Sequence, residues 1–134
     1  MNIRYLQCYT ALLMRTDILG KEKIDYYIKQ IKKASVEATE AIDKYNCFLA
    51  MNNYYLYKED YVNALATNDS LIKYAHIISP SNVPGLLDIS SQIYEAMGDY
   101  KEAYKYYKTS AQARDSITTS AMKQQLNELQ VYSE

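Results

Sequence analysis

The stretch that decides the fold is Tyr94-Glu95-Ala96-Met97-Gly98-Asp99-Tyr100-Lys101-Glu102-Ala103. Before it, Leu86, Ile89, Ile93 and Met97 recur at helical spacing, so a helix is predicted over Leu86–Met97. Gly98 suits the left-handed residue that ends a helix. Asp99 suits the N-cap of the next helix, predicted from Tyr100. Moving back 39 residues gives Tyr55-Leu56-Tyr57-Lys58-Glu59-Asp60-Tyr61-Val62-Asn63-Ala64. Tyr55/Tyr94, Asp60/Asp99, Tyr61/Tyr100 and Ala64/Ala103 are identical pairs, and Phe48/Leu87 are both large and apolar. A step of 39 residues back from Glu59 reaches Gly20, where the flanking Tyr and Ala are missing. The chain therefore reads as two clear helix pairs and a degenerate first one.

The shared residues have a packing reason. A small Ala lets two helices approach closely. Tyrosines fill the space beside it and keep a hydroxyl for a polar partner. A pair that cannot bury its own apolar face stacks on the next.

The rest of the chain reads outward from these pairs. Ile3–Arg15 is predicted helical, with a break at Gly20. Lys21–Asp43 reads as one long amphipathic helix with Ile24, Ile28, Ile31, Ala34, Ala38 and Ile42 on its stripe. A weak break at Lys44-Tyr45-Asn46 precedes a helix over Cys47–Tyr57, a charged turn at Lys58-Glu59-Asp60, and a helix over Tyr61–Ile77. Ser79–Gly85, with two Pro and a Gly, reads as a loop. The last helix runs from Tyr100 to about residue 130, weakened only at Ser116–Ser120. The units are thus a degenerate pair at 3–43, repeats at 45–77 and 84–113, and a C-terminal helix, forming a single domain of all 134 residues.

Composition narrows the function classes. The 134 residues carry net charge −1, which argues against binding nucleic acid by phosphate neutralisation. There is one His, and the two Cys are far apart, so neither a metal site nor a Cys/His catalytic pair is expected. Cys8 and Cys47 read as buried thiols. His76 reads as a helix-end cation, and Glu59/Asp60 as turn and cap residues. Lys101, Lys105 and Lys108 read as a solvated face. Of the nearby tyrosines, Tyr104 and Tyr107 are expected to pack between helices and Tyr106 to be exposed. No run of about 18 apolar residues exists to span a membrane. The expectation is a non-enzyme without cofactor.

Leu87, Tyr94, Gly98, Tyr100, Ala103 and Tyr107 resemble the tetratricopeptide repeat (TPR) at that motif's spacing. The match extends less closely over Phe48–Leu71. The period of 39 exceeds the usual value of about 34. Ser90 and Ser91 stand where the motif often has Leu and Gly, and Asn68 where it often has an aromatic. The resemblance implies an all-α, right-handed solenoid of antiparallel helix pairs. It places Phe48, Tyr55, Tyr61, Ala64, Leu87, Tyr94, Gly98, Tyr100, Ala103 and Tyr107 in repeat packing. It also implies a concave face lined by first helices, with Asn46, Leu49, Ala50, Asn53 and Tyr57, then Asp88, Ile89, Gln92 and Glu95. A protein or peptide partner would bind there, its backbone met by side-chain amides. The clamp by which some TPR domains hold an anionic C-terminal tail is not expected, because Asp88 and Glu95 would repel it.

Gly98–Tyr107, Arg114-Asp115-Ser116-Ile117 and Gln124–Tyr132 together are similar to the end of the TPR sensor region in bacterial membrane-bound histidine kinases and transcriptional regulators. That resemblance implies a fragment of a signalling protein, periplasmic in that setting. The alternative is a free-standing cytoplasmic TPR adaptor. The stripe of Met122, Leu126 and Leu129 would either fold back as a cap or pair with a second chain.

Overall fold

The computed structural model describes the backbone of residues 21–133 and the side chains of residues 23–130. The expected helix at 3–15, the Gly20 break and Cys8 lie outside the described residues. Those described form α1 (Lys21–Glu37), α2 (Ala41–Tyr57), α3 (Tyr61–Ile78), a 3-10 turn (Pro80–Asn82), α4 (Val83–Ala96) and α5 (Tyr100–Ser133). Among them there is no strand. The chain divides into two compact units, Met1–Pro80 and Ser81–Glu134.

In the first unit, α1 packs on α2 and α2 on α3. Ile24, Ile28 and Ile31 form the buried stripe of α1, and Cys47 and Met51 are buried on α2. The predicted single helix over Lys21–Asp43 is two helices, broken at 38–40. Glu40 is extended, with φ −92° and ψ 142°, and starts α2. The Ser35 hydroxyl donates to the Lys32 carbonyl at 2.6 Å, and the Lys44 ammonium donates to the Ser35 carbonyl at 3.4 Å. The second of these contacts serves a carbonyl that the helix end leaves open. Ala38 and Ile42 kept the 3.6-residue spacing across the break, which is why the stripe read as continuous. Ile42 is exposed rather than buried.

The two turns that decided the sequence reading are built alike, bond for bond. Amide N–H groups of Glu59 and Asp60 donate to the carbonyls of Leu56 and Tyr55, at 3.1 and 2.9 Å. Thirty-nine residues on, Gly98 and Asp99 donate to Glu95 and Tyr94, at 3.0 and 2.9 Å. This double bond pattern is the Schellman motif, which needs a left-handed residue after the helix. Gly98 takes it at φ 82° and Glu59 at φ 57°. Asp60 then caps α3, accepting from the Asn63 amide at 3.3 Å, and Asp99 caps α5, accepting from Glu102 at 3.2 Å. Helix stop and helix start are thus compressed into two residues, which forces a tight antiparallel hairpin.

The second helix of each hairpin is tied to the first at its alanine. The Asn52 side-chain amide donates to the Ala64 carbonyl at 2.9 Å. At the equivalent place the Ser91 hydroxyl donates to the Ala103 carbonyl at 2.6 Å. Ala64 and Ala103 are both buried. A Cβ at position 98 would meet nothing within 4 Å, so Gly98→Ala tests the backbone alone. The expected result is a loss of about 1 kcal/mol, read from the urea midpoint, because an L-residue resists the left-handed region.

In the second unit, α4 packs on α5. The predicted loop over Ser79–Gly85 is shorter than expected, since α4 already begins at Val83 with Pro84 in its first turn. A proline is tolerated there because the first-turn N–H groups have no helical partner. Val83, Leu86, Leu87 and Ile93 form the α4 side of the core. α5 is one helix of 34 residues, about 51 Å long at 1.5 Å per residue. Ser110 is its last buried residue, and every residue from Arg114 to Gln130 is exposed. The C-terminal stripe therefore does not fold back as a cap. Met122, Leu126 and Leu129 remain bare.

Candidate functional site

The sequence places its binding candidates on the first helix of each hairpin. On α2, Asn53 and Tyr57 are exposed and Asn46 is half-buried, spaced seven and four residues apart along one face. Ala50, assigned to the same face, is instead buried, and Leu49 is half-buried. The opposite side of α2 carries Cys47, Met51 and Tyr55 into the core. On α4, Gln92 and Glu95 are exposed, and Asp88 and Ile89 are half-buried. Each row belongs to its own unit.

Asp88 is not a free carboxylate. Its Oδ2 accepts a hydrogen bond and ion pair from the Arg114 guanidinium. Arg114 also donates to the Ser110 hydroxyl at 3.2 Å, and that hydroxyl donates to the Pro84 carbonyl at 3.0 Å. Burial pushes the Asp88 carboxyl up, but side-chain hydrogen bonding, that of Arg114 first, together with the Arg114 charge holds it below its ordinary range. Arg114 comes from 26 residues away, so its role had no local signal in the sequence. The expectation that Asp88 and Glu95 present two unopposed negative charges is corrected: Arg114 offsets one of them.

Around Tyr54 the first unit carries a contact that sequence reasoning missed. The Tyr54 hydroxyl donates to Asp25 Oδ1 at 2.6 Å, joining α2 to α1. The Lys58 ammonium lies 5.8 Å from the Tyr54 ring centre and 5.9 Å from that of Tyr57. Burial, and then the hydrogen bond to Asp25, push the Tyr54 phenol up to about 12. The folded state therefore holds this proton more tightly than the unfolded chain, whose phenol titrates near 10. The stabilisation is complete below about pH 10 and is lost as pH rises from there through 12. Tyr54→Phe should lower stability at pH 8 by about 1 kcal/mol or less, since the contact is partly solvated. It should also lose less stability than the parent between pH 10 and 12, measured by urea unfolding at both pH values.

The packing tyrosines divide in a way the sequence did not foresee. Tyr55 is buried, while Tyr61 and Tyr94 are half-buried. Phe48 stacks on Tyr74 with ring centres 5.9 Å apart. Leu87 is buried. Tyr106, expected in solvent, stacks on Tyr94 at 5.4 Å. Tyr100 and Tyr107, assigned to repeat packing, are exposed, and so is Tyr104. Ala103, Tyr106 and Ser110 share the face of α5 turned to α4. Tyr104 and Tyr107 are each one residue past that face, rotated by about 100°.

Chemistry-bearing groups are sparse. Cys47 is fully buried; burial, and then the nearby Asp43, raise its thiol above the ordinary value. Such a thiol is a poor nucleophile. His76 is exposed in the last turn of α3. Among the described residues no cluster of three His, Cys, Asp or Glu could hold a metal ion. None of their helices is long and apolar enough to cross a membrane. Compared with protein families, curated proteins and solved structures, the chain matches none.

Proposed function

We propose that this chain is a non-catalytic protein-interaction module of the TPR type, serving as the sensing segment of a bacterial signal-transduction regulator. The observation that carries the reading is the repeated hairpin. The same two-bond helix stop, aspartate cap and tie to a buried alanine recur after 39 residues. Repetition of one helical hairpin suits a scaffold that works by contact. The resemblance of residues 98–132 to the exit of bacterial sensor arrays supports the regulatory setting. The exposed rows Asn53/Tyr57 and Gln92/Glu95 are the faces such a module would offer to a peptide.

Selection of a displayed peptide library on the full chain tests the binding role. Asn53→Ala with Gln92→Ala should leave the melting temperature unchanged and weaken the selected peptides about tenfold. Unchanged binding overturns the assignment of these faces. The reading frame of the gene tests the setting. A membrane-spanning segment and a kinase or DNA-binding domain encoded beyond Glu134 support it, and a stop codon there overturns it.

A further inference from the structure

The exposed tyrosines of α5 form a second surface, separate from the rows on α2 and α4. Tyr100, Tyr104 and Tyr107 are 70%, 67% and 60% exposed. Their spacing of four and three residues aligns them along one side of the helix. Three large aromatic side chains left side by side in water are unusual for a face with no partner. Lys101, Lys105 and Lys108, all exposed, run beside them one residue further round the helix. The only acidic side chain within Tyr100–Lys108 is Glu102, which is half-buried and about 100° beyond Lys101.

The internal repeat supplies an independent comparison. Thirty-nine residues earlier, Tyr61, Leu65 and Asn68 of α3 occupy the positions of Tyr100, Tyr104 and Tyr107. Tyr61 and Leu65 are half-buried and Asn68 is fully buried. The same face of the same element is thus covered in α3 and bare in α5, although α5 carries more aromatic surface on it. A stripe of aromatics flanked on one side by cations fits one kind of occupant: an amphipathic helix with an apolar stripe and an acidic flank.

We propose that Tyr100, Tyr104 and Tyr107, with Lys101, Lys105 and Lys108 beside them, form a docking surface for an acidic amphipathic helix of a partner protein. The tyrosine rings cover the apolar stripe of that helix, and the lysines pair with its carboxylates and set its direction. Nucleic acid is the weaker occupant. Aromatic rings and lysines serve single strands when they line a basic groove, whereas this stripe lies on one convex helix of a chain with net charge −1.

The test uses the full chain and two synthetic 20-residue helical peptides that share a leucine stripe. One carries a glutamate flank and the other a lysine flank. Fluorescence anisotropy should show saturable binding of the glutamate peptide, at least tenfold tighter than the lysine peptide and weakened by salt. Tyr104→Ala with Tyr107→Ala should weaken it tenfold or more. Lys101→Glu with Lys105→Glu and Lys108→Glu should reverse the preference. All these side chains are exposed, so circular dichroism and melting should stay as in the parent. Asn53→Ala with Gln92→Ala should leave this binding unchanged, which separates the surface from the first-helix faces. Equal binding of both peptides, loss through Asn53 and Gln92, or tighter binding of oligo-dT than of the glutamate peptide overturns the proposal.

Discussion

Leu71→Ala is expected to remove about 2–5 kcal/mol of stability, the range for deleting a large side chain that the core cannot refill. Leu71 is fully buried in the middle of α3. Its neighbours on the same face, Asn68 and Ala75, are both 0% exposed, and Thr67 is buried beside them. Two of these side chains are polar and hydrogen-bonding groups resist collapse into a gap, so the cost should fall in the upper half of the range. A domain of this size is stable by only about 5–15 kcal/mol in all. With an urea slope of about 2 kcal/mol per molar, the midpoint should fall by more than 1 M. A shift below 0.3 M would mean that α3 contributes little to the cooperative core.

The second large effect concerns the buried alanine of the hairpin. Ala64→Leu should cost about 2–6 kcal/mol, through two mechanisms acting together. Three added carbons have no room at a fully buried position and force α2 and α3 apart, at about 1–3 kcal/mol. The separation also pulls the Ala64 carbonyl from the Asn52 amide, which donates to it at 2.9 Å and is itself 1% exposed. A buried amide N–H that loses this acceptor costs about 1–3 kcal/mol more. Ala103→Leu is the matched comparison in the second hairpin. Ala103 keeps 8% exposure, and its carbonyl partner Ser91 is half-buried, so water can reach the broken bond. Thermal unfolding should rank Ala64→Leu well below Ala103→Leu. Equal losses would show that the hydrogen bond at Asn52 adds nothing beyond packing.

Much of the candidate site was legible, and the misses share one cause. The turn at Gly98-Asp99 and its counterpart at Glu59-Asp60 could be read because their bonds join residues three to five apart. The caps at Asp60 and Asp99 reach only three residues. The exposed places of Asn53, Gln92 and Glu95 follow from the helical spacing of their apolar neighbours. The engagement of Asp88 by Arg114 was not legible, because it spans 26 residues. Nor was the tie from Tyr54 to Asp25, which spans 29. Asn52 carries no sequence mark of burial at all, yet it holds the hairpin through Ala64 and Thr67.

By itself the sequence determined the helical character of the described residues, the two hairpin turns with their aspartate caps, the left-handed glycine of one of them, and the alanines at which the helices meet. These are local matters, decided by backbone preferences and by hydrogen bonds within a turn. Only the tertiary structure decided where α1 ends, which tyrosine of Tyr104, Tyr106 and Tyr107 enters the core, and which carboxylate is already paired. A helix turns about 100° per residue, so a slip of one position carries a side chain from core to solvent. Nothing but the neighbouring helix settles that rotation. In α5 it turned Tyr106 inward onto Tyr94 and left Tyr100, Tyr104 and Tyr107 facing water.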